Sequence, residues 1–422
     1  MKGIFRKVLN VLKADDKKVV INNFLSLVLL QGANYILPLL ILPHLVRVLG
    51  AEKFGLIMFA QSLIVFLTVF IEFGFTLSGT REISLAKDNI SQRSKIFMAI
   101  MSIKMLLLIG IFLVLYAIVT VFPRFSVDKE VYLFSFGIVI GQALFPAWFF
   151  QGIEKMKFVT MLNILAKTCF TILVFVLVRH RADYIFVPVY NSLGFILAGV
   201  SGLLICFKYV KIQKPSLVLM KQFFLESLSL FVSNFAVSLY TASNTFILGL
   251  FVGNTIVGVY SSMEKLVLAA KNIYVPIYQA LFPWVARQLD GEKLRTTRKL
   301  MPIIFVIGLL MFLALFIFAR DILTIIYDNQ LITSYAIIFR ILSSIALFSG
   351  MNMLYTMLYF PSIKEYKIRM NILVLGGLFN IALALIFVRF FGIYATAVVV
   401  SSTELLLFLV GYAYYQKFRK QG

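Results

Sequence analysis

The side chains best placed to do chemistry in this chain are charged groups that interrupt long apolar runs. The cations are Lys104, Lys167, Lys265, Lys271 and Arg340, with Arg47 close to the end of its run. The carboxylates are Glu72, Glu264 and Glu404, with Glu226 close to the end of its run. A charge at the centre of a bilayer costs about 2.5–3.5 kcal/mol or more, so such groups face protein or water rather than lipid. Cations outnumber anions in this set. A chamber lined in that way receives an anion, and phosphate or pyrophosphate suits it because lysine and arginine are their usual partners. Lys104 and Lys271 lie near enough to one end to snorkel to the interface instead. Glu72 lies about six residues from the end of its run and Lys104 about nine from its own, so at about 1.5 Å per residue the two share a depth and predict an ion pair. Glu404, near the middle of its run, reads either as a proton or cation site or as the buried partner of one of the cations.

Nothing in the sequence adds reactive chemistry to these charges. Cys169 and Cys206 both fall in apolar runs and read as small buried hydrophobes, with no disulfide or metal spacing between them. No cofactor motif is present. Gln31, Asn34 and His44 give the first run a polar face, and Gly32, Pro38 and Pro43 predict a bend in it.

The elements that position these groups follow from composition. Of 422 residues, 61% are hydrophobic and 14% charged, and the mean hydropathy is +0.96. A soluble domain averages about 25% charged residues, and this chain has too few to cover a core in water. A crossing needs about 20 mainly apolar residues. Twelve runs qualify: 22–46, 54–78, 96–121, 131–150, 158–178 and 184–207, then 223–251, 255–284, 301–319, 332–358, 370–388 and 393–415. The fold class is an all-α polytopic membrane protein. Runs this long exclude the short alternating strands of an outer-membrane barrel.

Charge between the runs sets the orientation. The tails and even-numbered loops carry 27 Lys and Arg, the odd-numbered loops 8. Basic loops stay on the cytoplasmic side, which predicts both termini in the cytoplasm. The net charge of +22 is therefore topological. It sits between apolar runs rather than in one patch interleaved with aromatics, which argues against a nucleic-acid partner. Trp148 and Trp284 fall at the predicted cytoplasmic ends of runs four and eight, where an indole suits the headgroup boundary. The longest odd loops, 122–130 and 320–331, are too short for an enzymatic domain such as a polysaccharide polymerase or ligase.

An offset of 203 residues relates the two halves of the chain. It places Gly50 on Gly253, Gly55 on Gly258, Leu63 on Leu266 and Ser26-Leu27 on Ser229-Leu230. Six runs separate the copies, so both point the same way, as in transporters that hold substrate between parallel repeats. The resulting division is a segment 1–21, an N-terminal bundle 22–207, a basic linker 208–222, a C-terminal bundle 223–415 and a tail 416–422.

Three stretches resemble the Wzx-type polysaccharide flippases. They are Gln31-Gly32-Ala33-Asn34-Tyr35-Ile36-Leu37-Pro38 through Arg47-Val48-Leu49-Gly50-Ala51-Glu52-Lys53-Phe54-Gly55, then Glu72-Phe73-Gly74-Phe75-Thr76-Leu77-Ser78-Gly79-Thr80-Arg81-Glu82-Ile83, and Ala147-Trp148-Phe149-Phe150-Gln151-Gly152-Ile153-Glu154-Lys155-Met156. The family often carries Asp where this chain has Glu72, which keeps the charge. The resemblance is strongest over the first 170 residues. It implies two parallel six-helix bundles around a central cavity, like the multidrug/oligosaccharidyl-lipid/polysaccharide exporters. It also implies an undecaprenyl-pyrophosphate-linked oligosaccharide as substrate, the bacterial inner membrane as location, and the polymerase machinery of polysaccharide synthesis as a partner.

On this reading Arg47, Lys167, Lys265, Lys271 and Arg340 bind pyrophosphate and sugar. Glu72 and Glu404 couple the cycle to a proton or cation gradient, and membrane lipid surrounds the chain. A cation-coupled multidrug antiporter is the alternative, although a cavity for cationic drugs would lean acidic.

Overall fold

In hydrocarbon a backbone N–H or C=O has no water to bond, so long apolar runs close their hydrogen bonds within themselves as helices. The computed structural model describes residues 14–286 and 288–421. It describes side chains from residue 37 onward, apart from Pro38 and some positions within 233–241, 280–290 and 420–421. The basic residues of segment 1–13, Arg287 and the side chains of Gln31, Asn34 and Pro38 lie outside the described residues. No strand occurs among the described residues.

The helices run α1 (Ala14–Glu72), α2 (Phe75–Leu85), α3 (Ile90–Val121), α4 (Pro123–Ser126), α5 (Lys129–Leu144), α6 (Ala147–Gly152), α7 (Met156–Leu177) and α8 (Phe186–Cys206). They continue α9 (Leu217–Phe251), α10 (Asn254–Asn272), α11 (Tyr274–Ala286), α12 (Asp290–Ile317), α13 (Ala319–Tyr327), α14 (Gln330–Ser334), α15 (Ala336–Met353), α16 (Phe360–Ser362) and α17 (Tyr366–Gln421). A 3-10 turn covers Arg181–Ile185, and a π-helical segment, Leu354–Tyr359, joins α15 to α16.

Eight described stretches are long and apolar enough to cross a bilayer, where the sequence predicts twelve runs. Two of the eight each merge a pair of predicted runs. α1 has 59 residues and α17 has 56, each more than twice the about 20 that one crossing needs. α1 runs as helix through Pro43 and breaks at Gly50 instead, at φ 73° and ψ 166°. α17 breaks at Gly392, at φ 52° and ψ −127°. Both conformations are costly for any residue with a Cβ.

Helices up to α8 pack mainly among themselves, through α5 on α8, α7 on α8 and α1 on α5 and α7. Helices from α9 onward do the same, through α9 on α17, α12 on α15 and α15 on α17. The two groups meet where α1 crosses α10 and lies beside α9. A row of phenylalanines fills that second seam. Phe66 and Phe70 of α1 and Phe73, just past its end, face Phe224, Phe231, Phe235 and Phe246 of α9, the closest pair being Phe73 and Phe224 with ring centroids 4.6 Å apart.

Loop contacts divide the ends of the bundle by charge. At the basic end Arg93 donates to Tyr209 O, Lys87 pairs with Glu154 and Tyr415 donates to Leu294 O. At the charge-poor end Lys53 pairs with Asp128, Arg181 pairs with Glu52 and His44 bonds Val178 O. Trp148 does not sit at a lipid boundary. Its indole is 1% exposed and packs against Phe97 and Phe149, with Nε1 lacking a partner among the described residues. α6 packs on α2, which draws the ring inward. Several apolar side chains of α12, among them Phe305, Val306 and Leu310, are exposed, as suits a helix against lipid.

Candidate functional site

The C-terminal group buries a three-residue polar cluster. Lys271, in the last turn of α10, bonds Glu404 Oε1 from mid-α17. Asn352 Nδ2, near the end of α15, donates to Glu404 Oε2 at 3.3 Å. The Glu404 side chain is 2% exposed and that of Lys271 11%. Lys271 therefore does not snorkel to the headgroups, and Glu404 is the partner of a cation. Asn352 lies just before the π-helical segment, which shifts side chains out of α-helical register and often marks a functional site. Three different helices thus supply one buried charge cluster. Attraction is strong in such a site, but so is the cost of desolvation, and removing one partner leaves the other buried and uncompensated.

A second polar cluster lies in the same group. Glu264 accepts from Thr245 Oγ1 and Tyr260 Oη, both at 3.0 Å. Nearby in sequence, Ser243 Oγ donates to Asn380 Oδ1 at 3.2 Å, and Asn380 Nδ2 donates to Thr403 Oγ1 at 3.0 Å.

The N-terminal group buries its own lysine. Lys104 is 0% exposed, and its Nζ donates to Gln142 O at 3.0 Å and stands 3.9 Å from Glu72 Oε1. Glu72 Oε2 accepts from Thr76 Oγ1 at 2.7 Å. The depth argument from sequence thus brings the correct pair together, and Lys104 stays inside rather than reaching an interface. Lys167 on α7 and Lys265 on α10 are half-buried. Lys265 forms no salt bridge among the described residues.

Arg47 and Arg340 both lie at the charge-poor end. Arg340 Nε donates to Phe316 O at 3.3 Å and lines a polar cavity with Arg320. Arg47 reaches across to the C-terminal group and donates to three carbonyls closing α13: Ile325 O at 3.2 Å, Ile326 O at 2.9 Å and Tyr327 O at 3.3 Å. The last carbonyls of a helix have no intrahelical donor, and the negative end of the helix dipole lies there. A guanidinium answers both.

Arg124, one of the eight basic residues of the odd-numbered loops, makes the reciprocal crossing. It donates to Gly249 O at 2.9 Å, Val252 O at 3.2 Å and Asn254 Oδ1 at 2.7 Å. Its guanidinium also stacks 4.9 Å over Phe59. The offset of 203 carries Arg47 onto Leu250 and Arg124 onto Tyr327. Each arginine therefore bonds the helix end that corresponds to the other's own position. Between the two clamps the equivalent glycines meet directly. A Cβ on Gly55 would stand 1.8 Å from Asn254 O, and one on Gly258 would stand 1.9 Å from Ala51 O. The signal that would have found Arg124 was the repeat itself, applied to loop residues as well as to spans.

Two charges between the spans are tuned by their neighbours. Hydrogen bonding to Glu154 at 2.7 Å raises the pKa of Lys87. Backbone N–H groups of His180 and Arg179, at 2.8 and 2.9 Å, hold the Asp183 carboxyl below its ordinary value. Each tie fixes a loop at one end of the bundle.

Known proteins resemble this chain in sequence and in fold. The family described as polysaccharide biosynthesis protein matches residues 20–289. A putative O-antigen transporter of Escherichia coli (strain K12) is 29% identical over 398 residues, covering 91% of this chain and 94% of that protein. A putative O-antigen transporter of Shigella dysenteriae is 29% identical over 401 residues, covering 92% and 98%. Among solved structures, an inward-facing multidrug resistance MATE family transporter of the MOP superfamily superposes with TM-score 0.69 at 14% identity, covering 92% of this chain and 96% of that one. Lipid II flippase MurJ in an inward closed conformation gives TM-score 0.65 at 14% identity, covering 93% and 86%. The chain has the fold of these transporters, and by the match over most of its length it belongs to the polysaccharide biosynthesis protein family.

Proposed function

We propose that the chain flips an undecaprenyl-pyrophosphate-linked oligosaccharide repeat unit across the bacterial inner membrane by alternating access. The headgroup enters from the cytoplasmic leaflet, on the basic side of the bundle where both termini lie, and leaves on the charge-poor side. The observation that carries this reading is the end-to-end similarity to proteins named putative O-antigen transporters, on a fold shared with a lipid II flippase. The chain acts as a transporter rather than as an enzyme.

The residues have separate roles in this cycle. Lys167, Lys265 and Lys271, the cations within the helical span, meet the pyrophosphate and the hydrated sugars. Arg47 and Arg124 hold the charge-poor end shut until the substrate is loaded. Glu72 and Glu404, each already beside a lysine, couple the cycle to a proton or cation gradient by changing that pairing. The phenylalanine seam between α1 and α9 holds the groups together without directional bonds, so it lets them rock while the clamps open.

The test is to replace Lys265 or Lys167 by Ala, confirm normal membrane levels, and measure surface polysaccharide. Losing a charge-assisted contact worth about 1.5–3 kcal/mol predicts at least about a tenfold weaker hold on the headgroup, and so a fall in polysaccharide. Full polysaccharide at normal level removes that residue from the substrate path. Purified protein in vesicles that moves a cationic dye but no lipid-linked sugar favours the multidrug alternative.

A further inference from the structure

We propose that the charge-poor rim of the C-terminal group carries a binding site for the phosphate of a membrane lipid, built on Arg320 and Arg340. The inference rests on the chain spanning a membrane and is independent of what it transports.

A cavity of about 840 Å³ opens between α13, α14 and the first turn of α15. Arg320, Arg340 and Asp328 are its charged walls, and Thr324, Asn329 and Thr333 are among its neutral ones. Neither guanidinium forms a salt bridge among the described residues. Two guanidinium groups and one carboxylate leave the cavity net positive, and a bound anion offsets that charge. The Arg340 plane is set by its Nε bond to Phe316 O at 3.3 Å and by the Phe316 ring 5.7 Å from its Cζ. That bond engages only Nε and leaves the two terminal nitrogens to form a fork, the geometry that takes a phosphate through paired bonds.

Among the neutral groups Asn329 adds a donor. Thr324 and Thr333 spend their hydroxyl protons on backbone carbonyls at 2.9 and 3.0 Å and so add polarity but no donor for a phosphate. Asn329 uses its carbonyl oxygen to cap Ile332 N at 3.2 Å, which turns its amide nitrogen into a donor for the cavity. Asp328 supplies one acceptor, suited to the ammonium of a zwitterionic headgroup.

The surroundings make the ligand an amphiphile. Phe316, Ile317 and Phe318 at the end of α12, with Leu331 and Ile337, are 41–59% exposed. This apolar collar stands where a helix leaves hydrocarbon, so a phosphate seated on the arginines directs its acyl or prenyl chains along α12. α13 also offers its last carbonyls to Arg47. A lipid held here therefore braces the same short helix that receives the clamp.

Two membrane phosphates have this chemistry: a bilayer phospholipid and a polyprenyl carrier. The experiment is native mass spectrometry of the purified full-length protein with phosphatidylglycerol, phosphatidylethanolamine or undecaprenyl phosphate as probe. Wild type retains a lipid phosphate. Arg320→Gln and Arg340→Gln each retain it about tenfold less, as expected for a lost charge-assisted contact. Arg340→Lys keeps the charge but loses the fork, and is intermediate. Arg389→Gln, an exposed arginine at the same end, serves as control and matches wild type. The identity of the retained lipid separates the two sources. Equal retention by all variants, or competition as effective by inorganic phosphate as by lipid, overturns the proposal. Because no transport is measured, its failure leaves the flippase reading intact, and loss of that reading leaves this site standing.

Discussion

Lys271 and Glu404 form a buried ion pair whose worth is not its own stability. Burial costs each charge its hydration, so a single deletion strands the other in a site with little water. Lys271→Met should lower stability by about 3–5 kcal/mol, and the double variant Lys271→Met/Glu404→Gln should recover most of it. Thermal unfolding of the purified protein measures both. Surface polysaccharide then separates two roles. A purely structural pair predicts recovered polysaccharide in the double variant, whereas coupling through Glu404 predicts a stable protein that exports nothing. Lys104 and Glu72 are a weaker version of the same design, since Glu72 is 32% exposed and water screens the attraction.

At the scale of elements, the crossing of α1 and α10 depends on having no side chain at two positions. The Cβ distances at Gly55 and Gly258 fall on backbone atoms of the opposing helix, which cannot swing aside as a flexible side chain does. Gly55→Ala and Gly258→Ala should each force the helices apart and lower the amount of folded protein in the membrane, read by size-exclusion profile and membrane level. Gly110 has open space around it, so Gly110→Ala should leave both readings unchanged. A normal profile for Gly55→Ala would mean that the groups are joined elsewhere.

At the scale of the whole molecule, the paired arginines tie the two groups together at the charge-poor end. Each of Arg47 and Arg124 contributes three bonds across the groups, and a lost charged contact of about 1.5–3 kcal/mol shifts a two-state equilibrium by about tenfold or more. In a background with Cys169 and Cys206 replaced, a cysteine at Phe246 should be slow to react with an impermeant maleimide added from the charge-poor side. Adding Arg47→Gln and Arg124→Gln should speed that reaction by at least about tenfold. An unchanged rate in the double variant would show that the clamps do not gate access.

What the sequence alone determined was set by solvent and by period. Apolar length dictated helices, loop charge separated the two ends, the 203-residue offset related the halves, and the quoted motifs pointed to the family that the comparisons then supplied. Depth along a helix was also readable, which is why Glu72 and Lys104 were paired correctly. Only the tertiary structure decided direction around each helix axis and contact between distant helices. It placed Lys271 against Glu404, buried Trp148 in the core, sent Arg340 to the rim, and turned Arg47 and Arg124 into a reciprocal clamp. The physical reason is that a near-uniformly apolar helix in lipid has little amphipathic signal to say which face points inward. That choice is made by close packing and by the few polar groups that must find one another.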